Sequence, residues 1–235
     1  VSLAITVFVV VLVMNAVNFI DGLDGLAAGV VAIGTFAFFI YTYLLAQQTS
    51  PTNYFSTAGL LSAIILGLVF GFLPHNWRPA KIFMGDSGAM LLGLLMATSA
   101  IQVTGSIDPA TVTGNDLLPA LIPLALPVFI LILPLLDLLL AVVRRLRRGK
   151  SPFAPDKEHI HHQLQDIGHS HAGAVLVFYH WTAFVSTSLL LFFWLELAQV
   201  LIIFGFWQII ALVHTYWPVF ARILRRRRRN AAKQR

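Results

Sequence analysis

Four side chains bearing amide or carboxylate oxygens, Asn15, Asn18, Asp21 and Asp24, recur every third residue within the stretch NAVNFIDGLDGLAAG, Asn15 to Gly29. They stand between an uncharged amino-terminal run and a second one that begins at Gly25. Ionisable groups beside apolar sequence of membrane length cost free energy, so their presence is by default a sign of a functional site. Gly22 and Gly25 let the backbone leave helical geometry and come close to a ligand. Capping of the next helix by Asp21 or Asp24 is the plainer alternative. It accounts for either residue alone, and poorly for four oxygen-bearing side chains within ten residues.

A second constellation is HNWRPAKIFMGDSGAM, His75 to Met90. Asp86 is flanked by Gly85 and Gly88 and precedes an uncharged run, which predicts a carboxylate at a helix amino terminus beside free N–H groups. Such an end attracts phosphate or a metal-bound anion. A carboxylate also suits Mg2+, which prefers oxygen ligands and often takes one or two carboxylates plus substrate phosphates. The alternative is an Asp N-cap with Ser87 nearby. The spacing is not that of a phosphate-binding P-loop.

The third constellation is the basic loop RRLRRGKSPFAPDKEHIHHQLQDIGHSH, Arg144 to His171, which holds five of the eight histidines within His159 to His171. Arginine forks match phosphate oxygens, and histidine can donate to phosphate or shuttle a proton near neutral pH. Zinc is the rival ligand, yet HIHH has neither HExxH spacing nor any cysteine to help it. Some of the arginines answer to the positive-inside rule.

The elements that must position these groups are set by composition. Of 235 residues, 58% are hydrophobic and 11% charged, against about 25% charged in soluble domains. Mean hydropathy is +0.81. The fold class expected is all-α, a polytopic membrane helical bundle, with crossings at 1–17, 26–46, 57–73, 87–103, 117–143, 173–193 and 197–220. The absence of cysteine excludes disulfides and thiolate metal sites. All sixteen Lys and Arg fall in 74–86, 144–172 or the tail from Arg222, which puts the three constellations on one face, expected to be cytoplasmic. Within the fifth crossing, Pro119, Pro123, Pro127 and Pro134 predict a broken or tilted helix. Asp137, two turns before Arg144 and Arg145, reads equally well as structural or catalytic. Val1 sits inside a hydrophobic run without a basic n-region, which reads as an incomplete amino terminus in preference to a signal peptide.

In this order, NAVNFIDGLDGLAAG, PAKIFMGDSGAMLLG and SPFAPDKEHIHHQL resemble the polyprenyl-phosphate N-acetylhexosamine-1-phosphate transferases, glycosyltransferase family 4. The resemblance covers essentially the whole chain, as the carboxy-terminal two-thirds or so of a family member. The HIHH form resembles the branch that transfers N-acetylglucosamine 1-phosphate to undecaprenyl or decaprenyl phosphate. The alternative is the phospho-N-acetylmuramoyl-pentapeptide branch, which usually shows three consecutive histidines. The resemblance implies a bacterial plasma-membrane enzyme that turns UDP-N-acetylglucosamine and a polyprenyl phosphate into lipid diphosphate sugar and UMP. It would use Mg2+, with Mn2+ as an alternative, and open a cell-envelope polysaccharide pathway.

Carried over to this chain, the family pattern places the metal on Asp86 with Asn18 nearby and the nucleotide around Asp21, Asp24, Asn76 and Phe83. Phe83 would stack on uracil, Asn76 would bond the nucleoside or cap a loop, and His159, His161 and His162 would meet the diphosphate. Asp21, Asp24, Asp86 and these three histidines form the catalytic set; Asn15, Asn76, Lys81, Phe83, Arg144 and Arg145 form the substrate-binding set. Family members carry a paired-aspartate motif in an earlier loop, and no adjacent Asp pair exists here, so that motif is expected to precede Val1. Residues 1–221 would form the transferase domain and 222–235 a basic cytoplasmic tail that anchors to anionic headgroups. The partners implied are the two substrates and the lipid bilayer, with a homodimer as a candidate and no nucleic acid. Direct attack by the lipid phosphate and a covalent aspartyl intermediate both stay open. A transporter using the carboxylates as ion sites is the reading from another class; it would place them near the midplane between internal repeats, and no repeat is visible.

Overall fold

The computed structural model describes residues 3–49, 56–105, 132–151 and 160–233. Among them are eight α-helices and no strand: α1 (Leu3–Ile20), α2 (Leu26–Thr49), α3 (Thr57–Asn76), α4 (Gly85–Gly105), α5 (Ile132–Arg147), α6 (Ile160–Asp166), α7 (His171–Leu190) and α8 (Leu197–Lys233). A 3-10 turn, Leu191–Phe193, follows α7. In an apolar medium each backbone N–H and C=O must find a partner within the chain, and a helix satisfies them locally. Six helices, all but α5 and α6, are long and apolar enough to cross a membrane. The chain is a multi-pass membrane protein. Of the fifth expected crossing, 117–143, residues 117–131 lie outside the described residues, Pro119, Pro123 and Pro127 among them.

The bundle is centred on α2, most of whose membrane-length window is buried. It packs against α3 and α7, while α1 packs mainly on α4, and α7 also packs on α8. Lipid is as apolar as leucine, so helices in a bilayer associate through close packing of small residues and through polar contacts. Gly93 of α4 shows the first: a Cβ there would lie 2.6 Å from the Met14 Cα of α1. At Gly29 of α2 a Cβ would overlap the Tyr179 hydroxyl of α7. Polar contacts join α7 to α8, where Trp207 Nε1 donates to His180 Nε2 at 2.8 Å and Trp181 Nε1 donates to Thr215 Oγ1 at 3.0 Å. Outward faces carry large apolar side chains such as Phe8, Phe70, Ile202 and Phe206, as lipid contact requires.

Side-chain caps settle two helix starts. Ser56 accepts from the Gly59 N–H at 3.0 Å ahead of α3, and Ser170 accepts from the Gly173 N–H at 3.1 Å ahead of α7. At the other extreme α8 runs unbroken to Lys233, so the tail that begins at Arg222 continues the last crossing helix without a break.

One apolar cluster joins α1 to α4 through Val17, Val31, Tyr41, Ile65, Val69 and Leu92. A second gathers Ile20, Leu26, Val30, Leu164, Val175 and Phe178 where α1, α2, α6 and α7 meet. It seats the short α6 on α7, beside the α1–α2 joint that carries Asp21 and Asp24, and this joint is where the candidate site lies.

Candidate active site at one end of the bundle

The turn between α1 and α2 is shaped by its own backbone: Asp21 N–H donates to the Asn18 carbonyl at 3.2 Å and Leu26 N–H to the Leu23 carbonyl at 2.9 Å. Gly25 takes φ +78°, a left-handed conformation that other residues adopt at a cost. Its N–H donates to Asn76 Oδ1 at 3.0 Å, and Asn76 Nδ2 donates to the Ile82 carbonyl at 2.9 Å. Asn76 is 2% exposed, and its amide therefore staples the α1–α2 turn to the α3–α4 loop. Asp24 strengthens the join, accepting the Ala80 N–H through Oδ2 at 3.2 Å. From the opposite side the Tyr179 hydroxyl donates to the Gly25 carbonyl, and its ring lies 6.4 Å from that of Trp77. The first two constellations thus form one surface.

Asp21 lies against the start of α4, close enough to Asp86 for the two charges to interact. Burial pushes the Asp21 carboxyl above the usual carboxylate range, a backbone hydrogen bond from Gly85 opposes the rise, and the nearby Asp86 charge adds to it. Gly85, at φ +66°, lets the chain turn there so that Asp86 enters the first turn of α4. A buried carboxylate beside a second carboxylate charge forms a natural seat for a hard cation, which would relieve the repulsion. Among the described residues no group of three or more His, Cys, Asp or Glu is arranged to hold a metal. A pair of carboxylates completed by phosphate and water fits Mg2+, whereas zinc would want three or four protein ligands. The residues therefore fit the cation, with Asp21 beside Asp86; Asn18 lies on the last turn of α1, three residues before Asp21.

The remaining expected residues divide. Phe83 is 75% exposed at the edge of the site, and Lys81 is exposed beside it. Asn15 lies within α1, where Nδ2 donates to the Val11 carbonyl at 2.7 Å, so its amide is engaged along its own helix. Arg145 is 7% exposed, Arg144 half-buried, and both stand in the last turn of α5. His162 is exposed on α6. His161 belongs to the same helix, with its side chain outside the described set, and His159 lies outside the described residues. His169 turns away from the site: its Nε2 meets the Thr215 carbonyl of α8 at 2.7 Å, and a carbonyl there makes Nε2 the donor.

Two residues of the neighbourhood, Arg78 and Tyr179, were not singled out by sequence. Arg78 and Asp24 both act electrostatically on His171, at the start of α7. The sequence signal for His171 was its place in the cluster of five histidines, His159 to His171. Tyr179 carries no local signal, because its role depends on Gly29 and Gly25, some 150 residues away. Beyond Tyr179 an apolar cavity of about 400 Å3 runs between α2, α3 and α7, lined by Ile33, Phe36, Ile40, Phe70 and Leu190.

Comparison with known proteins agrees with the motifs. Residues 1–104 match the family described as glycosyl transferase family 4. Decaprenyl-phosphate N-acetylglucosaminephosphotransferase of Mycolicibacterium smegmatis is 38% identical over 221 residues, 94% of this chain and 54% of that protein. The protein of the same name from Mycobacterium leprae is 44% identical over 185 residues, 79% of this chain and 46% of its own length. A probable undecaprenyl-phosphate N-acetylglucosaminyl 1-phosphate transferase of Bacillus subtilis is 36% identical over 211 residues, 88% of this chain and 54% of that protein. The chain spans about half the length of the curated relatives it matches. The match places residues 1–104 in glycosyl transferase family 4, and these relatives extend the similarity over most of the chain.

Proposed function

We propose that the protein of which this chain is part transfers N-acetylglucosamine 1-phosphate from UDP-N-acetylglucosamine to a polyprenyl phosphate, releasing UMP. The observation that carries the reading is the joining of Asp21, Asp24 and Asp86 at one end of a membrane bundle, in a chain whose relatives are named for this transfer. On this reading that end faces the cytoplasm of a bacterium from its inner membrane, which the positive-inside rule supports through the basic loops. A polyprenyl chain can then stay in hydrocarbon, with the apolar cavity beside Tyr179 open to it, while the nucleotide arrives from water.

Two anions, a lipid phosphate and a sugar diphosphate, must approach each other, so charge neutralisation and positioning are the main requirements. Asp86 and Asp21 would hold Mg2+, with Mn2+ able to replace it, and the bound cation would neutralise diphosphate oxygens. On this reading Arg78, Lys81 and the exposed His162 of α6 would supply further positive or donor groups. Phe83, held in the open, offers a face for the uracil ring. Asp24, tied to Ala80, fixes the loop that presents Lys81 and Phe83.

Purified full-length protein given UDP-N-acetylglucosamine labelled in the sugar, with undecaprenyl or decaprenyl phosphate, should move label into chloroform-soluble product and release UMP. With UDP-muramoyl-pentapeptide it should make none. Label crossing a vesicle membrane without lipid product would instead identify a transporter, and comparable turnover of the pentapeptide substrate would move the protein to the sister branch.

A further inference from the structure

Helix α6, which carries His161 and His162, has too few residues to be stable alone, since nucleating a helix is unfavourable and short ones are marginal in water. Its apolar residues Ile160, Leu164 and Ile167 follow helical spacing and pack on the cluster around Ile20, Leu23 and Leu26. This fixes one face. It leaves the two ends, where unpaired N–H and C=O groups accumulate.

Both ends are met by charged side chains from other helices. Asp137 of α5, fully buried at 0% exposure, accepts the N–H of Ile160, the first residue of α6, through Oδ1 at 2.9 Å. At the far end Arg222 of α8 donates from Nη2 to the Ile167 carbonyl at 2.6 Å. The intervening turn is closed by His169 N–H on the Leu164 carbonyl at 3.0 Å. Gly168, at φ +110°, makes room, because a Cβ there would collide with Arg222 Nη2. A negative group at a helix amino terminus and a positive one at the carboxyl terminus both match the helix dipole.

We propose that Asp137 and Arg222 are positioning residues that hold the histidine helix by its two ends and so keep it, with His162, beside the α1–α2 joint that carries the carboxylates. Neither touches substrate; each acts through α6. The catalytic consequence rests on the transferase reading given above, while the mechanical clamp does not. Asp137 thereby acquires a definite role, since its carboxylate lies two turns before Arg144 along α5 and spends one oxygen on the entry of the histidine helix. Arg222 has a role beyond surface charge.

Full-length protein in detergent decides the matter through hydrogen exchange and kinetics. Asp137→Leu should raise amide exchange at 160–168 by about tenfold or more, with exchange in α2 unchanged. Turnover should fall by about 10- to 100-fold, as loss of positioning does, with the KM for the nucleotide sugar within about threefold. Asp137→Asn keeps an acceptor oxygen and should restore both. Arg222→Met should raise exchange at 167–169, and Arg222→Lys should restore it in part. If Asp137→Leu fails to fold, Asp137→Asn and Arg222→Met carry the test, since Arg222 is on the surface of α8. Exchange at 160–168 unchanged in folded Asp137→Leu or Arg222→Met overturns the clamp. So does Asp137→Asn with turnover as low as Asp137→Leu, which would make charge, and not the hydrogen bond, the active feature. Wild-type protein without transferase activity refutes the functional reading and leaves the exchange result to decide the clamp.

Discussion

Replacing Asn76 by Ala removes the staple between the two loops that carry the site. The Gly25 N–H would be left buried without its acceptor, at a cost of about 1–3 kcal/mol, and the Ile82 carbonyl would lose its donor, about 0.5–1.5 kcal/mol more. The sum, about 2–4 kcal/mol, is a large share of the marginal stability of a folded chain, so the apparent melting temperature in detergent should fall by several degrees. Turnover should fall as well, because Asp21 and Asp24 would no longer be held in register with Asp86, and small misplacements can cost about 100-fold. Asn76→Asp separates the two bonds: it keeps the acceptor for Gly25 and sets a carboxylate oxygen against the Ile82 carbonyl, so it should recover only part of the stability. The assays are thermal unfolding of the full-length protein and transfer kinetics on the folded fraction. A residue that served only to bond the nucleoside would raise KM and leave unfolding alone. Unchanged unfolding in Asn76→Ala would therefore refute the staple.

Three other outcomes are expected. Because the folded-state pKa of Asp21 is raised, its contribution to stability is full below the ordinary carboxylate pKa and is lost as pH rises through the folded value. Asp21→Asn should accordingly raise the melting temperature at neutral pH in EDTA and lose that advantage in acid; a shift equal at every pH would contradict the sign. Gly29→Val drives a side chain into Tyr179 and should destabilise by about 1–3 kcal/mol or more, read by thermal unfolding, while Gly71→Ala, with open space around it, should change little. Deleting residues 225–235 should lower the membrane yield with little change in turnover per folded molecule, since basic residues beside a crossing helix act on headgroups; a large fall in turnover at full yield would show that they bind substrate.

The crossings were legible because apolar runs of membrane length have one stable answer, the helix, and the six helices begin and end within a few residues of the hydropathy limits. Where they differ, local chemistry explains it. Helix α1 runs on to Ile20 through the amides of Asn15 and Asn18, and Asn15 can do so because it bonds back to the Val11 carbonyl. Helix α8 continues past Pro218 into the arginines, which are good helix formers. The shared location of the Asp21, Asp24 and Asp86 motifs was legible from the one-sided distribution of basic residues. Their pairings were not: Asp24 to Ala80, Asn76 to Gly25 and Asp137 to Ile160 join residues 56, 51 and 23 positions apart, and only packing decides which N–H a buried oxygen meets. The sequence reading coupled Asp86 with Asn18; Asp21 as the electrostatic partner of Asp86 emerges only once the start of α4 is set against the end of α1.

The central claim is that transfer takes place where Asp21 and Asp86 face each other, and divalent-cation dependence of labelled lipid formation tests it most directly. In full-length protein, EDTA should abolish transfer of sugar phosphate to polyprenyl phosphate and Mg2+ should restore it. Folded Asp86→Asn should lose at least about 100-fold in turnover at saturating Mg2+, comparable to removal of a group that stabilises developing charge. Undiminished lipid product from Asp86→Asn in the presence of EDTA would contradict the account.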